Sequence, residues 1–309
     1  MPRVSVVIPT FNCERFIGRT VGSALRQTYR DFEIIVVDDG STDGTQAVLA
    51  EYGEALHYIK QANQGASAAR NAALSRATGE YIAYLDADDL WHPEKLAHQV
   101  EYLDAYPSCG FVHTEVAVID EQDSVLHARF NKETGRTVPQ GKCLRDILQR
   151  SHIQTLTVLE RRSAFDRAGK FDLRLPVAQD YLHWIQVALQ GYEVGYLPEP
   201  LGQYRWRAGS LMSSQRRLLG DFTKIYEILL AEHRLEEVHG SEVRRLIDTQ
   251  LYTNQRQLAY LERLECSGAV ARRRLRRLVQ QWPFRLELYL DLAKSYMWNR
   301  AEQMPVNPS

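Results

Sequence analysis

A chain of 309 residues sits at the length where one hydrophobic core stops growing, so a domain with an appendage is expected. Its 44% hydrophobic and 25% charged residues, with a formal net charge of -1, are an ordinary globular balance that gives nucleic-acid binding no support. Cys13, Cys109, Cys143 and Cys266 are far apart and form no C-x-x-C pair, which argues against structural zinc or a disulfide framework and for reduced cytosolic thiols.

The first hundred residues alternate between short apolar runs and helical patterns. Val4 to Ile8 ends at Pro9, Glu33 to Val37 ends at Asp38, and Tyr81 to Leu85 ends at Asp86. Runs that are apolar on both faces suit a parallel sheet covered by helices. Helical patterns over Glu14 to Gln27, Thr45 to Tyr52 and Ala66 to Ala77 lie between them, and this order predicts an open α/β sheet. Ligands of such sheets bind outside the carboxyl ends of the strands. Pro9-Thr10-Phe11-Asn12, Asp38-Asp39-Gly40-Ser41 and Asp86-Ala87-Asp88-Asp89 all fall at those ends and should converge on one crevice.

Further along, strands are expected over Phe111 to Ile119, Thr155 to Leu159, Glu193 to Leu197 and Leu201 to Trp206, the last two around Pro198 and Pro200. Helices are expected over Gly141 to Gln149 and Gln179 to Leu189. From about Leu211 the texture becomes helical: Leu218 to Leu235, Val243 to Leu264, Val270 to Gln281 and Phe284 to Tyr296, with turns at Gly240, Gly268 and Pro283. Residues 1–210 therefore read as one domain and 211–309 as a helical extension with a frayed tail from Met304. No apolar run approaches the roughly 18 residues that span a bilayer, and MPRVSVVIPTF is too short for a signal peptide. A cytoplasmic location is expected, at the inner face of the cell membrane if the chain touches one.

The acidic loop poses the chemical question. Three carboxylates within four positions oppose one another's ionisation, so either solvent or a cation must answer them. Mg²⁺ and Mn²⁺ take oxygen ligands, commonly one or two carboxylates completed by phosphates and water, and Asp86-x-Asp88 after a buried strand suits that use. Asp38 and Asp39 are pure acceptors, fit for a base N–H or ribose hydroxyls, while Asp43 is assigned to capping the helix from Thr45.

Taken together, PTFN (Pro9 to Asn12), DDGSTD (Asp38 to Asp43), NQGASAARN (Asn63 to Asn71) and LDADD (Leu85 to Asp89), in this order and spacing, resemble the family-2 glycosyltransferases. The resemblance spans roughly residues 3 to 210. It implies a GT-A fold, an open mixed sheet with helices on both faces. It also implies a nucleoside-diphosphate sugar donor, commonly a UDP-sugar, and inverting transfer onto a hydroxyl of a glycan or lipid-linked glycan acceptor, as in surface polysaccharide synthesis. On this resemblance residues 1–110 form the nucleotide-sugar half and 111–210 the acceptor side. Pro9, Thr10, Phe11 and Asn12 lie near the nucleoside, Asp39 at the uracil edge with Asp38 beside it, and Arg70 at the base or diphosphate. Asp86 and Ala87 lie at the ribose or metal shell, Asp88 ligates Mn²⁺ or Mg²⁺, and Asp89 is counted with the metal carboxylates. The family's base is the Asp after an acidic or polar residue on a later helix, and Gln179-Asp180 matches it.

One position departs from the family pattern. Where the family often carries Y-R-x-H-x-x-S, this chain has Arg207 in the histidine position of Tyr204 to Ser210. Arginine cannot ligate a metal but can pair with a diphosphate. His57, His113, His152 and His183 form no recognisable metal pair and are read as structural. RRRLRR, Arg272 to Arg277, has Leu275, Leu278, Val279 and Trp282 on one side, so this helix either rests on an anionic membrane or packs on its own domain. Two other functions compete. A haloacid-dehalogenase-type phosphohydrolase also places D-x-D after a strand, but after the first one, and a non-catalytic homologue would not require Asp88 and Asp180. A Rossmann dehydrogenase lacks its G-x-G-x-x-G here.

Overall fold

The apolar runs form the centre of a parallel sheet. β1 (Val4–Thr10), β2 (Phe32–Asp38), β3 (His57–Lys60) and β4 (Tyr81–Tyr84) lie in the order β3-β2-β1-β4, all parallel. Helices α1 (Glu14–Leu25), α2 (Thr45–Ala50) and α3 (Ala66–Leu74) make the crossovers. Val4, Val6 and Ile8 are fully buried and share a core with Phe16, Ile17 and Val21 of α1. The register pairs Thr10 with Asp38, so the first two polar loops leave the sheet side by side. β3 has no apolar run of its own. It is an edge strand whose ends, His57 and Lys60, are exposed, and edges of this kind carry charge.

This computed structural model describes residues 1–149, 153–207, 215–232, 235–265 and 268–301. Beyond β4 the sheet turns mixed. β5 (Leu90–Trp91), α4 (Lys95–Ala105), β6 (Cys109–Ile119), β7 (Val125–His127), α5 (Phe130–Glu133), α6 (Leu144–Gln149), β8 (Leu159–Arg161), α7 (Arg162–Ala168), α8 (Gln179–Leu189) and β9 (Glu193–Arg205) follow in the chain. The sheet order continues β4-β8-β6-β9-β5, with β7 on β6. The β4–β8 and β8–β6 pairs are antiparallel, so the expectation of an open mixed α/β sheet holds.

Two strand expectations need correction. Thr155–Thr157 is a 3-10 turn and the strand starts at Leu159, because the Thr157 hydroxyl and N–H both donate to the Gln154 carbonyl (2.7 and 2.9 Å), a local bond that competes with ladder pairing. Conversely, Glu193 to Trp206 is not split at its prolines. β9 runs unbroken past Pro198 and Pro200, and register shifts against β6 around Glu115 take up the missing donors.

By internal contacts the chain falls into two units, 1–210 and 211–309. The second comprises α9 (Gln215–Ala231), α10 (Leu235–Glu265), α11 (Gly268–Gln281) and α12 (Leu286–Ala301). α10 is really two helices, since Gly240 at φ 81° has left helical space. Tyr252, Ala259, Leu275, Leu278 and Leu288 form a core here, with Val279 and Trp282 packed against it. The apolar side of the RRRLRR helix therefore packs inside its own unit, not against a bilayer. His152, Ala208 to Ser210, Cys266 and the tail from Met304 lie outside the described residues. Among the described residues, no helix is long and apolar enough to cross a membrane.

Candidate active site

The nucleoside-side loops are tied to one another before any ligand arrives. Asn12, at φ 49°, accepts from the Thr42 N–H (2.8 Å) through its Oδ1, and its own N–H donates to the Ser41 hydroxyl (2.9 Å). Its side chain thus anchors the second loop instead of capping α1, whose N-cap is Cys13. Asp43 accepts from the Thr45 N–H (3.0 Å) and, on its other oxygen, from the Glu14 N–H (3.1 Å), so one carboxylate serves the starts of both α1 and α2. Glu14 reciprocates by accepting from the Gly44 N–H (2.9 Å).

Asp38 and Asp39 are more internal than the sequence suggested. Asp38 is fully buried, accepting from the Ser41 N–H and from the Tyr58 hydroxyl (both 2.8 Å). Asp39 accepts from Gln61 Nε2 (2.7 Å) and the Gln64 N–H (2.9 Å) on one oxygen and from the Gly65 N–H (2.7 Å) on the other. It folds the stretch from Gln61 to Gly65 over the end of β2. Gly40 is needed for this fit: at φ 81° a side chain would be strained, and a Cβ would meet the Asn63 nitrogen at 3.0 Å. Pro9 and Thr10 are buried at the end of β1, while Phe11 just beyond them stands nearly half exposed.

The acidic loop divides its carboxylates between two directions. Asp89 is only 1% exposed and accepts from the Arg205 N–H (2.7 Å). Burial, then the charges of Asp88 and Asp86, push its carboxyl well up, and it belongs to the scaffold, not to the rim with Asp86 and Asp88. The loop backbone is held as well: the Thr20 hydroxyl donates to the Ala87 and Asp89 carbonyls (both 2.9 Å), and Arg205 Nε donates to the Asp88 carbonyl (2.7 Å). These restraints leave Asp86 and Asp88 partly open. Asp88 is paired with Arg207 (2.6 Å), whose guanidinium also lies over the Phe16 ring. Burial pushes the Asp88 carboxyl up, Arg207 pulls it back and Asp86 adds to the rise.

Arg70 is the largest departure. It is 5% exposed and lies beneath the crevice, its guanidinium bound to Asp86 and 5.9 Å from the Phe171 ring centroid. With the Gln179 amide oriented by its neighbours, that oxygen accepts from Arg70 and its nitrogen donates to the Val177 carbonyl (2.9 Å). Arg70 thereby joins the acidic loop to the start of α8. There, in the first turn, Asp180 accepts from the Thr155 hydroxyl (2.5 Å) and the Tyr181 N–H (2.8 Å). Burial raises the Asp180 carboxyl, opposed by Thr155 and the Arg70 charge. A half-buried carboxylate with raised affinity for a proton is suited to taking one from a hydroxyl.

Behind this front lies a dry layer. Glu160 accepts from the Tyr84 hydroxyl (2.5 Å) and lies 2.9 Å from His183 Nε2, with His183 and Glu160 wholly buried. His113 is also buried, its Nε2 2.9 Å from the Pro139 carbonyl, and burial lowers its pKa to about 4. Cys13, Cys109 and Cys143 are free and buried. Among the described residues no three His, Cys, Asp or Glu side chains are grouped to hold a metal on their own. One or two carboxylates suffice where phosphates supply the remaining oxygens, and Asp88 with Asp86 meets that requirement. Arg205, Thr20 and Thr155 were not singled out as site residues, and Gln179 entered only as the polar residue before Asp180. For Arg205 the signal was the Tyr204 to Ser210 stretch, and it pointed to the neighbouring Arg207.

A mixed sheet with an acidic loop after the fourth strand and a carboxylate on a later helix agrees with the GT-A arrangement expected from the sequence. Residues 5–164 match the family described as Glycosyl transferase family 2, and the chain belongs to that family. It is 33% identical, over 69% of its length and 83% of the other's, to the putative teichuronic acid biosynthesis glycosyltransferase TuaG of Bacillus subtilis. It is 30% identical, over 76% of its length and 90% of the other's, to an Escherichia coli protein, the UDP-Glc:alpha-D-GlcNAc-diphosphoundecaprenol beta-1,3-glucosyltransferase WfaP. Among solved structures, S. aureus TarS 1-349 in complex with UDP-GlcNAc superposes with a TM-score of 0.67 at 23% identity, covering 90% of this chain and 81% of that one, a likeness of fold.

Proposed function

We propose that this glycosyltransferase moves a sugar from a UDP-sugar to a hydroxyl of a lipid-linked glycan, with inversion and with a divalent cation, in surface polysaccharide synthesis at the cytoplasmic face of the membrane. The observation that carries the reading is that Arg70 pairs with Asp86 of the acidic loop and meets Gln179 beside Asp180, so that Arg70 and Asp86 both act on the Asp180 carboxyl, while Asp88 of the same loop is paired with Arg207. UDP-Glc and a diphosphoundecaprenol acceptor are what the Escherichia coli relative's name states, and teichuronic acid biosynthesis is what the Bacillus relative's name states.

Each residue then has a task. Phe11 offers a face to the base, and Asp39, which has an acceptor site left on Oδ2, takes the edge N–H of the uracil. Asp38 and Asn12 keep the two loops in register. Asp88, with Asp86 beside it, would hold Mn²⁺ or Mg²⁺, which when bound offsets charge on the leaving diphosphate. Arg207, 2.6 Å from Asp88, would pair with the same diphosphate through its fork of donors. Asp180 removes the acceptor hydroxyl's proton as the oxygen attacks the anomeric carbon from the face opposite the leaving group. Residues 1–110 serve the donor and 111–210 the acceptor.

A thermal-shift screen of nucleotide sugars with and without Mn²⁺ tests the donor assignment. Binding only to the folded state at 100 times Kd adds about 2.7 kcal/mol of stability. A UDP-sugar that shifts the melt with Mn²⁺ and loses that shift with EDTA is the expected result. Equal shifts in EDTA would remove the cation from the proposal, and the absence of any UDP-sugar shift would remove the donor.

A further inference from the structure

We infer that the outer face of the α11–α12 hairpin is a docking surface for an anionic lipid bilayer, seated through Phe284, Leu286 and Leu290. α11 itself has spent its apolar side: Leu275 and Leu278 are in the core of the helical unit. α12 has not. Leu288 is fully buried, yet Leu286 is 75% exposed and Leu290 61%, with Tyr289 exposed between them, and Phe284 at the turn is 95% exposed. Positions 286, 289 and 290 share one side of a helix, so the exposed apolar groups form a continuous stripe instead of scattered single residues.

Charge selects the occupant. Between residues 268 and 301 the sequence has eight basic residues and two acidic ones. Both acids are turned toward α10: Glu287 accepts from the Tyr252 hydroxyl (2.7 Å) and Asp291 is paired with Arg256 (2.5 Å). Arg273, Arg277, Arg285 and Lys294 remain exposed on the hairpin. Two copies joined through this face would bring like charge together, whereas an anionic surface neutralises it. Aromatic and leucine side chains flanked by arginine and lysine are the composition of a helix lying in the headgroup region. A lipid-linked acceptor would give this contact a purpose, but the surface rests on the hairpin alone and its test requires no turnover.

The test is flotation of the full chain with vesicles of equal parts phosphatidylglycerol and phosphatidylcholine, against phosphatidylcholine alone, with light scattering for self-association. Binding to the anionic vesicles that weakens at high salt is expected. Leu290→Ser and Phe284→Ser should each lower it about tenfold or more, and Arg273→Glu with Arg277→Glu about fivefold or more per charge, with unchanged circular dichroism melts. No binding, binding as strong to the neutral vesicles, binding that all these variants retain, or a dimer that Leu290→Ser dissociates would each overturn the inference. None of those results bears on donor binding or transfer.

Discussion

Asp180 and its hydroxyl partner offer the finest control over the proposed chemistry. Burial raises the carboxyl's pKa and the Thr155 hydrogen bond lowers it. A base acts when deprotonated, so activity falls as pH drops through that raised pKa, above the ordinary aspartate range. Thr155→Val removes the lowering contribution, and the acid limb of kcat/KM should move to higher pH while the plateau is largely kept. An unmoved limb would take Thr155 out of the base's environment. Little of this was legible in the sequence. Asp180 stood out only through the resemblance, because Gln179-Asp180 matches the position of the family's base, and Thr155 read as part of a strand. Arg70 read as a ligand-facing residue on an alanine-rich helix. The sequence displays its charge but not its partner, Asp86, sixteen positions away on another element. Asp89 was indistinguishable from Asp88 for the same reason: which member of D-x-D-D turns inward depends on Arg205, more than a hundred residues later.

Elements explain why the crevice keeps its shape. Glu160 on β8 and His183 on α8 join the base-bearing helix to the sheet with no exposed atoms, and Tyr84 completes the set from β4. Glu160→Ala leaves two buried polar partners uncompensated, and a loss of about 3–5 kcal/mol in urea denaturation is expected; under 1 kcal/mol would mean the site relaxes freely. α4 carries a second buried charge-bearing group. Lys95 is fully buried, donates to Gln99 Oε1 (2.6 Å) and lies over the Trp91 ring, and burial lowers its pKa well below 10.5. Between that lowered pKa and the ordinary lysine range the unfolded chain binds more protons, so stability rises with pH at up to about 1.4 kcal/mol per unit. Lys95→Met should flatten that slope, and a pH profile parallel to the parent's would show that Lys95 does not supply it. At this scale the sequence was most readable where one force dominates. Val/Ile runs became β1 and β2, and Gln179–Leu189 was found with both ends. Reading failed where local bonds or pairing decide, as in the turn at Thr155–Thr157, the edge strand β3 and the prolines inside β9.

At the scale of the whole molecule, four loop motifs in order identified the family, since they are the parts proposed to meet the donor, and their order is fixed by the parallel crossover topology. The helical unit is different. Its helical patterns gave the helices, but α9 ends at Ala231 and α10 starts at Leu235, where one helix over Leu218 to Leu235 was expected. Amphipathicity cannot say whether an apolar face meets lipid or protein, and α11 met protein. What the two units together are proposed to accomplish depends on one proton transfer. Asp180→Asn keeps the size of the side chain and removes its basicity, so its kcat for sugar transfer with Mn²⁺ and a UDP-sugar is the most direct measurement. A fall of about 10²- to 10⁴-fold with unchanged donor binding is expected. Near-normal turnover in that variant would contradict a base at this position and with it the proposed mechanism.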